Sequence, residues 1–278
     1  MKLTATATVG DIMEAMERLA PLHLAESWDN CGLQIGSRAW KVQRLWLALD
    51  PLPEVIQAAA REKVDLIITH HPLIFHPLRS IDLQTPAGRT IETALEARTA
   101  IYAAHTNLDS AQHGVNDALA HAIGLEDTEP LVVAANTLHE AADGARPGMG
   151  RLGRLSPDIK LKVLVEQIKL KFELCHLKVA GDPELQINRA AVCSGSGSSL
   201  LSSFLASSAQ VYISGDLRYH DARIAEEAGR ALIDIGHFPS EHLVLKVLAE
   251  RLQKTAAEKR WPLDIQVCRL ESDPFVIL

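Results

Sequence analysis

Six short, mainly apolar runs punctuate the chain, at Leu45–Leu49, Val64–Ile68, Ala100–Ala104, Ala190–Cys193, Val211–Ile213 and Ala231–Ile235. Runs of this length, lacking a sustained apolar/polar alternation, are expected of strands buried on both faces of a parallel sheet. Helical spacing fills the intervals at Pro53–Arg61 and Gly88–Arg98, and again from Phe238 onward, where Leu243, Val244, Val247, Leu248 and Leu252 form one stripe. Alternation of the two patterns predicts layered α/β architecture. Near the start, Thr8 with Asp11 three residues on makes a capping-box pattern; Ile12, Met16 and Leu19 share a face and Pro21 ends the run, so a helix is expected there. The stretch 159–172 is ambiguous, since Ile159, Leu161, Val163 and Val165 alternate while Leu161, Leu164, Val165, Ile168 and Phe172 keep helical spacing. Its length favours a helix. Gly144, Pro147, Gly148, Gly150 and Gly153 crowd into 141–153, which reads as a loop or domain connection.

At 278 residues the chain is long enough for roughly two domains. A net charge of -7 argues against a dedicated nucleic-acid binder, which needs a basic face. Cys31, Cys175, Cys193 and Cys268 are widely spaced and form no C-x-x-C pair, the pattern of a reducing cytoplasm. Asp11, Glu14 and Glu17 interrupt any signal-peptide core. The long uncharged stretch 190–215 carries nine serines and several glycines, which a bilayer interior would penalise, so no membrane span is expected.

The chemistry gathers where the apolar runs end, and open α/β sheets bind ligands beyond the carboxyl ends of their strands. One run leads into His70-His71-Pro72, a second into His105-Thr106-Asn107-Leu108-Asp109, and a third into His237-Phe238-Pro239-Ser240-Glu241. Adjacent histidines in an extended segment point to opposite sides, an arrangement suited to two neighbouring ions rather than one. His237 and Glu241 are one turn apart at the start of a helix. Should the strands be neighbours, His70, His71, Asp109, His237 and Glu241 supply a mixed N/O set compatible with Zn, Mn, Fe, Co or Ni. Each cluster alone has an ordinary structural explanation, since such residues also cap backbone groups.

These motifs resemble the Nif-three-like family of dinuclear-metal proteins, whose members are often called GTP cyclohydrolase 1 type 2 homologues. The resemblance spans most of the chain. It rests on residues 27–36 (SWDNCGLQIG), 68–75 (ITHHPLIF), 105–109 (HTNLD), 150–155 (GRLGRL), 193–197 (CSGSG), 214–222 (SGDLRYHDA) and 236–241 (GHFPSE). It implies two divalent ions per subunit held by His70, His71, Asp109, His237 and Glu241, with Glu241 contacting both. It also implies two interlocked α/β domains, 1–128 completed by 236–278 and 129–235, without the inserted domain of some members. Subunits would assemble as a hexameric ring, a trimer of dimers.

Two ions about 3.5 to 4 Å apart activate a bridging water, so the implied chemistry is hydrolytic. GTP would be opened at the purine imidazole ring with loss of formate; a phosphoester would be attacked at phosphorus. The alternative is a non-catalytic metal-binding or metal-handling ring protein that recruits partners. His105 is a candidate for proton transfer or for support of a ligand, with a structural role as the other reading. Gly195 and Gly197 either cradle a phosphate or permit a tight turn. Asp216, Arg218, Tyr219 and His220 are expected at a substrate contact or subunit interface. Asp29 and Asn30 are expected to fix a turn, beside a buried Cys31.

Overall fold

The computed structural model describes residues 6–134 and 146–276. The chain divides into two compact units, one comprising 1–108 with 245–278 and the other 109–244. Elements are numbered along the whole chain.

In the first unit, β1 (Ala7–Thr8) and β3 (Lys41–Val42) pair antiparallel, and α1 (Val9–Leu19) starts directly after β1. The expected capping box is present: Thr8 Oγ1 accepts from the Asp11 amide and the Asp11 carboxylate accepts from the Thr8 amide. The main sheet runs β13 (Asp264–Val267), β4 (Arg44–Ala48), β5 (Leu66–Thr69), β6 (Ala100–Ala103) and β2 (Gly32–Ile35). Its first four strands are parallel and β2 is an antiparallel edge. Helices α2 (Pro53–Arg61) and α3 (Pro86–Ala97) bury Ile56, Ala59, Ile91 and Ala94 in a core shared with Ile67 and Ile101. Pro53 sits in the first turn of α2, where its missing N–H costs nothing. The chain returns through α10 (Val244–Lys259), which buries Leu245, Leu248 and Leu252, before adding β13 to the sheet. The short α4 (Thr106–Ser110) leads out of the first unit.

The second unit holds a six-stranded sheet in the order β7 (Glu126–Val133), β8 (Gly148–Lys160), β10 (Gln186–Ser196), β11 (Val211–Gly215), β12 (Ala231–Asp234) and β9 (Lys178–Ala180). The β10, β11 and β12 strands are parallel, and their neighbours join antiparallel. Alternate residues divide between two cores, as the strand period requires. Val192, Ile213 and Ile233 join one core with Leu119 of α5 (Val115–Ile123) and with Leu164 and Ile168 of α6 (Leu161–Phe172). Ala191, Tyr212 and Leu232 join the other, with Phe204 of α7 (Leu201–Ala206) and Ala225 of α8 (Tyr219–Glu227). Helix α9 (His237–His242) follows β12.

The six apolar runs are all strands, parallel to one another within each sheet. The segment 161–172 is the helix that its length predicted. One expectation is corrected. Gly148 to Gly153 do not form a loop but open β8, whereas residues 141–145 lie outside the described set. Glycine serves close approach here: a Cβ on Gly148 would stand 2.2 Å from the Val132 carbonyl oxygen. The two compact units divide at 108/109 and 244/245. Helix α5 packs on β8 and β10, and α9 on β10 and β11, so both belong to the second unit.

Helix α6 offers a test of this packing, because Leu164 is fully buried whereas Leu170 is 81% exposed. Leu164→Ala is expected to cost about 2–5 kcal/mol in urea unfolding, and Leu170→Ala less than about 0.5 kcal/mol. Equal effects would contradict the assigned helix face.

Candidate metal centre

In the first unit the chain leaves β5 at Thr69 and bends through His70 and His71. Strand alternation stops there, so the two rings do not diverge as expected from an extended segment; their centroids lie 5.0 Å apart. The ring of His105, just beyond β6, stands 5.2 Å from that of His70 and 5.5 Å from that of His71. Each of the three offers a ring nitrogen within 4.8 Å of the others, a group able to hold a metal ion.

One nitrogen of each ring is already committed. His70 Nδ1 lies 2.9 Å from the Ala104 carbonyl oxygen, which can only accept, so Nδ1 carries the proton and Nε2 the lone pair. His71 Nδ1 meets Asp50 Oδ1 at 2.8 Å and His105 Nδ1 meets Asp29 Oδ1 at 2.9 Å. Such outer acceptors orient imidazole ligands and raise their basicity. Asp50 is itself braced from the far end of the chain, since the Leu49 and Asp50 amides donate to the Glu271 carboxylate at 2.9 and 2.6 Å. Burial pushes the Glu271 carboxyl above its ordinary pKa despite those amides.

Asp29 does more than shape a turn. Its side chain is fully buried and also accepts from Thr106 N at 3.1 Å, from the Thr106 hydroxyl and from Cys31 Sγ at 3.0 Å. Burial raises its pKa, but the hydrogen bonds from His105, Thr106 and Cys31 outweigh that and hold the carboxylate well below the usual range. Burial and the neighbouring Asp29 push the Cys31 thiol up to about 12, so sulfur stays protonated and donates.

In the second unit, His237 opens α9 and Glu241 follows one turn later, with Nε2 and Oε2 3.1 Å apart. His237 Nδ1 meets Asp216 Oδ2 at 2.7 Å. Hydrogen bonding to the Glu241 carboxylate moves His237 up to about 9 against the opposing effect of burial, with Asp216 adding to the rise. Asp216 therefore supports His237, a role its position in the sequence did not disclose. Arg218 instead pairs with Asp221 at 3.3 Å, and Tyr219 and His220 are exposed.

The end of β10 carries the other contacts. Ser194 Oγ lies 3.5 Å from Asp109 Oδ1, while Asn116 receives the Ser194 amide at 2.9 Å and donates to the Asp109 carbonyl at 3.1 Å. Gly195 lies in the left-handed region at φ +61°, and a Cβ there would stand 2.1 Å from Glu241 Oε1. Its amide donates to Ser240 Oγ at 2.8 Å. A Cβ on Gly197 would strike the Ser214 hydroxyl at 2.0 Å. Close packing thus requires glycine at both positions of this turn.

A family model described as Duf34/NIF3 (NGG1p interacting factor 3) matches residues 7–274. A Clostridium acetobutylicum protein named GTP cyclohydrolase 1 type 2 homolog is 32% identical over 267 residues, covering 96% of this chain and 97% of that protein. Among solved structures, a Bacillus cereus protein related to NIF3 superposes with a TM-score of 0.90 at 26% identity, covering 99% and 100% of the two chains. Reduced HcgD from Methanocaldococcus jannaschii gives 0.79 at 32% identity, covering 96% and 100%.

Two outcomes check this geometry. Gly195→Ala should lower stability more than Gly229→Ala, because both glycines have positive φ but nothing lies within 4 Å of a Cβ at Gly229; urea unfolding of both variants decides it. Asp29 has a depressed folded-state pKa, so its contribution is present above the unfolded value of about 3.9 and is lost as pH falls toward the folded value. The stability gap between wild type and Asp29→Asn should thus be widest near neutrality and shrink below about pH 4. A gap that widens in acid would refute the assignment.

Proposed function

The chain belongs to the Duf34/NIF3 family, and from that premise we propose that it is a dinuclear metal-dependent hydrolase acting on a nucleotide or related phosphoester. His70, His71, Asp109, His237 and Glu241 would hold two divalent ions, drawn from Zn, Mn, Fe, Co or Ni, with Glu241 serving both. The observation that carries this reading is the state of the imidazoles: His70, His71 and His105 each have Nδ1 against an acceptor, which orients Nε2 for a ligand, and His237 Nδ1 is held by Asp216 while its Nε2 meets Glu241. The donor chemistry fits the ions, since imidazole and carboxylate suit these metals. Bound ions would supply the positive charge that acidifies a water and polarises the bond under attack.

The remaining work falls to the chain. Glu241 and His237 share a proton across their 3.1 Å contact, a position that a cation of higher charge would take over. His105, backed by Asp29 on Nδ1, is suited to receive a proton at Nε2 while the carboxylate stabilises the resulting imidazolium. Asp50 and Asp216 keep His71 and His237 from rotating. GTP is the substrate suggested by the relatives' names, with attack either on the purine imidazole ring, releasing formate, or at phosphorus. A six-membered ring assembly and a cytoplasmic location accompany the reading by family likeness. No helix among the described residues is long and apolar enough to cross a membrane.

The experiment is metal analysis joined to a turnover screen. The purified protein should carry about two divalent ions per chain, falling to near zero in the His70→Ala, His237→Ala double variant; unchanged metal would overturn the ligand set. Metal-loaded protein should turn over GTP or another member of a nucleotide and phosphoester panel, and Glu241→Gln should lose that turnover. If nothing is turned over beyond the Glu241→Gln level, the protein is a metal-binding ring component and the hydrolase reading falls.

A further inference from the structure

Two large aromatic rings stand exposed beside the histidine trio of the first unit. Trp28 is 57% and Phe75 is 41% exposed, and their ring centroids are 5.8 Å apart with planes tilted by 58°. Both also face His105, with centroids 6.2 Å from Trp28 and 6.4 Å from Phe75, each near edge-on. His105 is thus the shared corner of two triangles of rings, one with His70 and His71 and one with Trp28 and Phe75.

The aromatic pair is held in position by side-chain amides rather than by core packing. Asn30 Nδ2 donates to the Ile74 carbonyl at 2.6 Å, and Gln34 Oε1 accepts the Ile74 amide at 3.1 Å. Gln34 Nε2 donates back to the Asn30 carbonyl at 2.8 Å. These bonds tie the segment after Trp28 to the residue before Phe75, across 44 and 40 positions of sequence. Phe75 belongs to residues 70–85, which join β5 to α3 with neither helix nor strand. Connections of that length in a compact domain are usually functional or disordered, and this one is stapled.

Exposed aromatic rings gain nothing from facing water, and fixing them by hydrogen bonds forgoes the freedom to fold them inward. Tilted as they are, the two rings offer a face and an edge to a planar guest, the arrangements that aromatic quadrupoles favour. We propose that Trp28 and Phe75 form the seat for a planar nitrogen heterocycle, a purine base, whose edge is thereby brought to His105. The inference rests on reading the histidines as the reactive centre, and it specifies how a nucleotide would be held there. Asn30 and Gln34 are positioning residues for this seat.

The test uses the full-length, metal-loaded protein with GMP as probe and ribose 5-phosphate and inorganic phosphate as baseless controls. GMP should bind saturably and quench tryptophan emission, and neither control should quench. Trp28→Ala and Phe75→Ala should each weaken GMP binding on the order of tenfold to a hundredfold by calorimetry, with metal content unchanged. Trp28→Phe should keep most of the affinity while losing the quench, which assigns the signal to residue 28 among the four tryptophans. The proposal is overturned if wild type shows no saturable GMP binding, if ribose 5-phosphate binds as well as GMP, or if Trp28→Ala binds GMP like wild type. It is equally overturned if the Trp28 signal follows protein concentration and ignores GMP, which would make the pair a contact between copies. Loss of metal or absence of turnover is read in separate assays, so failure of the hydrolase reading is distinguishable from failure of this seat.

Discussion

An imidazole directs one ring nitrogen at a ligand only when the other has a fixed partner, and every oriented histidine of the candidate centre obeys this constraint through strand order. His70 and His71 follow β5; their acceptors, Ala104 and Asp50, follow β6 and β4, the strands on either side. His105 follows β6, and its acceptor Asp29 precedes β2, whose antiparallel start lies against the end of β6 through the Gly32–Ala103 pair. His237 follows β12, and Asp216 follows the adjacent β11. Parallel neighbours end together, so each sheet supplies donor and support from adjoining strand ends without a dedicated loop. The same register explains why Gly195 must lack a side chain: it is the penultimate residue of β10, where Glu241 is packed against it.

Part of this was legible in the sequence because it is local. Apolar runs mark parallel strands, and the polar residues that terminate them are contiguous with them in the chain. The acceptors were not legible. Asp50, Asp29 and Asp216 stand 21, 76 and 21 positions from the histidines they orient, a pairing fixed only by which strands become neighbours. Asp29 looked like a turn residue because the hydrogen bonds from His105 and Thr106 arise from the end of the neighbouring strand β6, far away in sequence. Likewise Gly148 to Gly153 resembled a linker, since a strand that lets a neighbouring backbone approach closely has the composition of a loop. The divergence expected of His70 and His71 failed for a related reason: the period of two holds only while the strand lasts, and β5 ends one residue too early.

Electrostatics in the two groups differ in kind. Asp29 keeps its charge in a buried place because five donors surround it, and it passes that charge to a single imidazole. Glu241 is as deeply buried, and it raises the basicity of His237 enough to hold a proton at neutral pH. The first arrangement holds one ring in place through Nδ1. The second holds a proton between an imidazole and a carboxylate. An acidic chain can therefore present concentrated positive charge at one locality once such places are filled by divalent ions.

The first unit is discontinuous, and this orders events during synthesis. Residues 109–244 are complete before α10 and β13 exist, whereas the sheet that carries His70 and His71 lacks its β13 edge until residue 267 has been added. Glu271, which braces the loop holding Asp50, is made later still. A growing chain thus has the whole second unit before it has the brace behind His71. The histidine trio has its full support only once residue 271 has been added.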